Sequence, residues 1–140
     1  MSVAIDIEYL GGLKTQATHG PSSSTLTTAA PVDNQGDGSS FSPTDLLATA
    51  LGTCIVTIVG IAARGRDVDV TGTQVNVLKE MTAQPPRRVG RLTVTLDLPD
   101  SVPEEHRAAL EEAGRGCPVC RSLSNEMEVD VTFRWTAQVA

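Results

Sequence analysis

The sequence predicts a single α+β domain, residues 1–140, with an antiparallel sheet and one long central helix. Three observations predict this fold class. Short runs alternate apolar and polar residues, as half-buried strands do. One uncharged stretch has helical length, and the elements follow the order βββ-α-ββ-α-α-β. Hydrophobic residues make up 40% of the chain, which is enough to build a packed core.

Three short strands are predicted at the start of the chain. Residues 3–10 alternate in polarity, and a Gly-Gly turn separates them from a return strand over residues 13–18. Residues 25–30 form the third strand. Residues 31–42 are rich in Asp, Gly, Asn and Ser, and we expect a polar loop there.

The central helix has a clear start. Ser42 is the expected N-cap, Pro43 occupies the first helical position, and Asp45 completes a capping box with Asp in place of the usual Glu. An Arg-Gly-Arg sequence ends the helix. Apolar residues at 3-or-4 spacing predict its main buried face: Leu47, Leu51, Cys54, Ile58 and Ile61.

Residues 46–63 carry no charge, and this stretch reaches the lower limit of a membrane span. Its threonines, glycines and alanines, and the lack of a second such stretch, favour a buried helix in a soluble core. We therefore expect no membrane partner. A helix that is apolar all round needs more cover than a monomer of 140 residues easily provides.

The second half of the chain predicts a hairpin, two helices and a final strand. Residues 68–80 and 89–98 alternate and are separated by a proline-containing turn. A capped helix is expected over residues 101–113, and a short helix or turn over residues 117–123. Residues 128–136 alternate again and predict the last strand.

Composition narrows the function classes. Eleven basic residues against seventeen acidic ones give a net charge of −6, and aromatic residues make up only 3%. Nucleic-acid binding needs basic patches and stacking platforms, so we expect no nucleic-acid partner. The N-terminus has no basic segment followed by a long apolar one, so a cytoplasmic location is the expectation.

Three cysteines, Cys54, Cys117 and Cys120, are too few for a disulfide-stapled secreted domain. Redox chemistry, metal binding and simple burial are the alternatives. A tetrahedral zinc site needs more ligands than a Cys-x-x-Cys provides, and only Cys54, His19 and His106 are available to complete it. We therefore expect no metal, and we expect no other cofactor. Cys117 and Cys120 form a Cys-x-x-Cys, which suits redox chemistry, but it follows a helix near the C-terminus rather than a strand of a βαβ unit.

Cys54 lies in the middle of the central helix, where a cysteine is commonly a buried structural residue. A reactive thiol there would need a nearby cation or hydrogen-bond donors. Lys14 is the only basic residue among the first 63. Any other activating cation must come from later in the chain or from a second subunit.

Two motifs resemble one protein family. Residues 42–54 read Ser-Pro-Thr-Asp-Leu-Leu-Ala-Thr-Ala-Leu-Gly-Thr-Cys, and Cys117 opens a Cys-Pro-Val-Cys-Arg-Ser-Leu about sixty residues later. In this order and spacing they resemble the OsmC/Ohr family of osmotically inducible and organic hydroperoxide resistance proteins. The resemblance covers nearly the whole chain, from a Leu-Gly-Gly-Leu-Lys-Thr-Gln-Ala near the N-terminus to the closing Trp135.

The resemblance implies an OsmC-like fold in an intertwined homodimer and a thiol-dependent peroxidase activity. Cys54 matches the peroxidatic cysteine, which becomes a sulfenic acid on reaction with an organic hydroperoxide substrate. Cys117 matches the resolving cysteine, which forms a disulfide with it. A dithiol reductant, such as a lipoyl group or a small thiol, then restores both.

Two positions depart from the family pattern. Well-studied peroxidases of the family carry a Glu ten residues before the reactive cysteine, and here that position is Thr44. Asp45 is its neighbour, although capping explains it. Lys14 is the nearest match to an Arg of the family, and lysine cannot form the planar bidentate pair that Arg makes. The candidate catalytic set is therefore Cys54 and Cys117, with Lys14, Asp45 and Thr44 as secondary candidates.

Three hypotheses remain open. The first is a hydroperoxide reductase that uses Cys54 and Cys117. The second is a related protein without peroxidase activity, either a binding protein with an interface pocket or a redox sensor. The third is a dithiol oxidoreductase that uses Cys117 and Cys120, and its dominant oxidised form would be a disulfide between those two.

Overall fold

The computed structural model describes residues 1–138, which form six strands, three helices and a 3-10 turn. The strands are β1 (Ile5–Gly11), β2 (Lys14–His19), β3 (Thr25–Ala29), β4 (Gln74–Met81), β5 (Val89–Pro99) and β6 (Glu128–Ala137). The helices are α1 (Pro43–Gly65), α2 (Glu104–Arg115) and α3 (Pro118–Ser122), and the 3-10 turn is Val32–Asn34. This mixed composition and element order confirm the predicted α+β class.

The chain divides into two compact units, Met1–Leu47 and the residues from Ala48 onward. In the first unit, β1, β2 and β3 form an antiparallel sheet in that order. The hairpin turn between β1 and β2 uses Gly11 and Gly12, whose φ values of 81° and 61° favour glycine. The two glycines therefore set the turn that the sequence predicts.

The second unit contains a separate three-stranded sheet in the order β4-β5-β6. The β4–β5 pair is antiparallel, as predicted, but β6 pairs with β5 in parallel. The predicted antiparallel arrangement does not extend to β6, because alternation marks a half-buried strand without recording its direction. Strand β4 also begins later than predicted, since the Asp69 carboxylate accepts the Thr71 backbone N–H at 2.9 Å in a turn before it.

The core of the second unit lies between helix α1, helix α2 and strand β5. Alternate residues of β5 point into it, as the sequence predicts. Its fully buried large side chains are Leu51, Ile55, Val59, Leu92, Val94, Leu96, Leu98 and Leu110.

The buried face of α1 differs from the predicted one. Leu51, Ile55 and Val59 are fully buried, whereas Ile61 is 62% exposed and Cys54 is half-buried. The predicted stripe is therefore rotated relative to the real one, because a helix that is apolar on every side does not reveal which side packs. Within residues 1–138, one helix, α1, is long enough and apolar enough to cross a membrane. Length and composition alone are weak evidence for a membrane span.

Candidate functional site: a cluster of three free thiols

Helix α1 carries the first thiol, and its start is fixed by a reciprocal capping box. The backbone N–H of Ser42 donates to the Asp45 carboxylate at 2.9 Å, and the Asp45 N–H donates to Ser42 Oγ at 3.1 Å. Thr44 Oγ1 lies 3.2 Å from Ser42 Oγ. Asp45 therefore caps the helix, as the sequence predicts, and Thr44 belongs to the same polar group.

Cys54 follows the cap by about three turns of α1 and sits at the edge of the buried face. Its neighbours in sequence, Thr53 and Ile55, are exposed and fully buried respectively. Cys54 itself is half-buried and free. Cys54 is therefore partly accessible at the edge of the buried face.

Cys117 lies in the short turn between α2 and α3 and is completely buried. Its backbone is extended, with φ −63° and ψ 150°, as expected for a residue before proline. The Cys117 sulfur caps α3 by accepting the backbone N–H of Cys120 at 3.3 Å. The Cys-Pro-Val-Cys sequence thus holds the Cys117 side chain in one orientation.

The structure brings the thiols of Cys54 and Cys117 together. Burial raises the pKa of Cys117, and although the Cys120 N–H acts in the opposite direction, a hydrogen bond with the Cys54 thiol raises the pKa further. Cys120 also adds an electrostatic contribution to the raised pKa of Cys117. Cys117 is therefore the shared neighbour of the other two thiols.

A close approach between α2 and α1 makes this meeting possible. A Cβ added at Gly114 would lie 2.9 Å from Val59 Cγ2 and 3.3 Å from Ile55 Cγ2. Gly114 therefore lets the end of α2 pack directly on α1, beside the turn that carries Cys54. Since Cys117 follows Gly114 by three residues, this contact places the second thiol near the first.

Arg121 supports the turn before Cys117 and was not a sequence candidate. Its Nε donates to the Gly116 carbonyl at 2.9 Å, and its backbone N–H donates to the Cys117 carbonyl at 3.1 Å. The signal that could have found it is its position four residues after Cys117, where the first turn of a helix returns toward its start.

Lys14 forms an ion pair in the first unit. Its Nζ lies 2.9 Å from the Asp37 carboxylate. The hydrogen bond and charge of Lys14 hold the pKa of Asp37 well below its usual range. Lys14, Thr44 and Asp45 thus belong to the first unit, and the three cysteines belong to the second.

Among the residues that the structure describes, no group of three or more His, Cys, Asp and Glu side chains could hold a metal ion. The cluster itself offers the three thiols of Cys54, Cys117 and Cys120. Two neighbouring cysteines can be joined by a disulfide when their Cα atoms lie within about 7 Å of each other.

Comparisons with known proteins identify a family and structures of the same fold. The family model described as OsmC-like protein matches residues 36–132, which include all three cysteines. A protein from Psychrobacter arcticus 273-4, proposed to act in osmotic stress and detoxification responses, is 38% identical. The match covers 92% of this chain and 93% of that one, with a TM-score of 0.87. Among curated proteins, none matches the sequence.

More distant structures share the fold. An organic hydroperoxide resistance protein OsmC from Legionella pneumophila is 14% identical over 96% of this chain and 97% of its own, with a TM-score of 0.75. The organic hydroperoxide resistance protein OhrB of Bacillus subtilis is 13% identical over 96% and 98%, with a TM-score of 0.66. The family model alone spans more than half of the chain, and by that match this protein belongs to the OsmC-like family.

Proposed function

We propose that this protein reduces organic hydroperoxides with Cys54 as the peroxidatic thiol and Cys117 as the resolving thiol. The Cys54 thiolate attacks the terminal oxygen of the hydroperoxide, and the O–O bond breaks. The alkoxide takes a proton and leaves as an alcohol, and Cys54 becomes a sulfenic acid. The Cys117 sulfur then attacks the Cys54 sulfur, water leaves, and a disulfide forms.

The observation that carries this proposal is that the Cys54 thiol lies close enough to Cys117 to raise its pKa. Cys54 is half-buried and Cys117 is completely buried, so a substrate meets Cys54 first. The OsmC-like family and the named activity of its distant structural relatives support a peroxide substrate.

An external dithiol, such as a lipoyl group or a small thiol, completes the cycle in this mechanism. Its two thiols give up two hydrogens to the protein disulfide and close to their own disulfide. A cycle of this kind runs in a reducing compartment, so we place the protein in the cytoplasm.

We also propose that the protein works as a homodimer. Three alternate residues of β1 form one apolar row, and Ile5, Ile7 and Tyr9 are each more than half exposed. Ile7 pairs with Ala17, which pairs with Leu26, so the apolar row extends across the sheet. Only 33% of the apolar window of α1 is buried. A second copy would cover these surfaces, which a soluble monomer rarely exposes.

Peroxide consumption by the reduced protein tests the function. With an organic hydroperoxide and a dithiol, the parent protein should turn over, and Cys54→Ser should lose turnover. Cys117→Ser should lose sustained turnover while Cys54 still reacts once. If Cys54→Ser consumes peroxide at the parent rate, the mechanism is wrong. A parent protein inert to every peroxide, but with a ligand in its dimer interface, would favour the related binding protein.

A further inference from the structure

Cys120 has no part in the mechanism proposed above. It nevertheless lies beside Cys117, one of the two cysteines of the proposed disulfide. The Cys120 N–H donates to the Cys117 sulfur at 3.3 Å, so the two residues lie within one turn of each other. Cys120 is half-buried and free, whereas Cys117 is completely buried. The more accessible thiol of the pair is therefore the one that the Cys54 chemistry leaves unused.

Access limits how a disulfide between Cys54 and Cys117 can be reduced. The sulfur of Cys117 has no exposed surface, so an external thiol can attack this disulfide only at the half-buried Cys54, the same residue that meets the peroxide. A thiol on the same turn has no such limit, because reacting groups held together gain effective concentrations on the order of 10⁵ M or more in well-oriented cases. An attack by Cys120 on Cys117 therefore competes strongly with attack by a dilute external thiol.

We propose that Cys120 is an exchange thiol that moves the disulfide from Cys54–Cys117 to Cys117–Cys120. The Cys120 thiolate attacks the Cys117 sulfur, a Cys117–Cys120 bond forms, and the Cys54–Cys117 bond breaks. Cys54 leaves as a thiolate, so no external oxidant or reductant is consumed in the exchange. This inference rests on the proposed function, since that function supplies the first disulfide.

The exchange has two consequences. Cys54 returns to its reactive thiolate form before any reductant binds. The dithiol then attacks the half-buried Cys120 sulfur and breaks the Cys117–Cys120 bond. The dithiol is released as its own disulfide, and Cys117 and Cys120 return to thiols. The site would thereby separate the thiol that meets peroxide from the thiol that meets reductant.

A quenched time course distinguishes the two disulfides. The reduced protein receives one equivalent of organic hydroperoxide, is trapped with acid and an alkylating agent, and is digested with trypsin. Cleavage after Arg115 and Arg121 leaves Cys117 and Cys120 on one peptide, while Cys54 lies in the peptide of residues 15–64. A cross-linked peptide pair marks the first disulfide, and loss of two hydrogens within the short peptide marks the second.

The exchange predicts that the cross-linked pair forms first and then decays as the short peptide becomes oxidised and Cys54 becomes alkylated. In Cys120→Ser the cross-link should persist, and its reduction by a dithiol should be on the order of tenfold slower. Cys120→Ala should behave as Cys120→Ser does, which separates the loss of the thiol from any effect of the serine.

A stable cross-link in the parent protein, with Cys120 alkylated throughout, would overturn the exchange and leave the proposed function intact. Oxidation of the short peptide at the parent rate in Cys54→Ser would also overturn it, because the disulfide would then arise without Cys54. If Cys120→Ser consumes no peroxide and forms no cross-link, the proposed function fails together with the exchange.

Discussion

In the proposed mechanism, the protonation state of Cys117 controls how fast the disulfide with Cys54 forms. Its sulfur is buried, and burial is the main cause that raises its pKa. The thiolate is the nucleophile that attacks a sulfenic acid, and a raised pKa reduces the thiolate fraction at neutral pH. In the proposed mechanism, the raised pKa of Cys117 slows the resolving step, and peroxide meets the half-buried Cys54 first.

This difference predicts a pH dependence of the resolving step. Between about pH 6 and about pH 8, all of it below the raised pKa of Cys117, the thiolate fraction grows about tenfold per pH unit. The rate at which the Cys54 sulfenic acid disappears into the disulfide should rise in the same proportion. Rapid-mixing measurements across this range, with Cys117→Ser as the control, check it. A rate independent of pH would contradict a buried, protonated Cys117.

Lys14 is the basic residue of the first unit that the family pattern suggests as an activator, and its charge is balanced by Asp37. Removing Asp37 should leave the ammonium charge uncompensated. If Lys14 stabilises the Cys54 thiolate, Asp37→Asn should speed Cys54 oxidation by about two- to fivefold, as expected of an exposed charge. Adding Lys14→Met should cancel the gain. Equal rates in all three proteins would remove Lys14 from the candidate site.

Some of these residues could be identified from the sequence and others could not. Cys54 and Cys117 were identifiable because two motifs carry them in a fixed order. The Lys14–Asp37 pair was not visible, because Asp37 lies 23 residues away in a polar loop with no periodicity. The contact between Cys117 and the Cys120 N–H is local, and a capping interpretation of the Cys-Pro-Val-Cys sequence could have found it.

At the scale of elements, Gly114 lets α2 approach α1 near the residues that carry the thiols. At Gly114, an added Cβ would lie 2.9 Å from Val59 Cγ2 of α1, so a larger residue there would crowd the contact. The order and type of the elements were predictable from alternation, capping residues and turns. The rotation of α1 and the parallel direction of β6 were not, because both depend on tertiary contacts between residues far apart in sequence.

Gly114→Ala should test whether helix packing sets the thiol contact. The added methyl group meets Val59 Cγ2 at 2.9 Å and Phe133 Cζ at 3.1 Å, so the helices must separate or the side chains must shift. Overpacking of this kind costs about 1–3 kcal/mol in the free energy of unfolding. The variant should also form the Cys54–Cys117 disulfide more slowly. Denaturant unfolding and disulfide mapping measure the two effects.

Gly65→Ala is the matched control for this substitution. A Cβ at Gly65, the last residue of α1, meets nothing within 4 Å. Its unfolding free energy should therefore stay level or rise slightly, with no change in disulfide formation. If Gly114→Ala behaves like this control, close helix packing is not what positions Cys117.

At the scale of the whole molecule, two apolar surfaces are exposed to solvent and would be stabilised by burial. Ile7 is 68% exposed on the apolar row of β1, and Ile61 is 62% exposed on α1. A homodimer in which a second copy covers both would explain why a 140-residue acidic chain carries them. The prediction of a single domain over residues 1–140 stays a prediction beside the two compact units of the chain.

Light scattering coupled to size-exclusion chromatography should find a dimer, and Ile7→Asp should shift it toward monomer. A charge on the apolar row would be buried without a partner in the dimer, which opposes association. Val32→Asp is the control, because Val32 is 75% exposed in the 3-10 turn and lies outside the row. A parent protein that is monomeric, or an Ile7→Asp variant as dimeric as the parent, would contradict this assignment.

Trapping a sulfenic acid at Cys54 tests the central claim most directly. A variant with Cys117→Ser and Cys120→Ser has no thiol left to resolve the oxidised Cys54, so one equivalent of organic hydroperoxide should leave a sulfenic acid there. A sulfenic-acid-specific probe should then add once to each chain, within the tryptic peptide of residues 15–64. An unlabelled Cys54 beside unconsumed hydroperoxide would contradict Cys54 as the peroxidatic thiol.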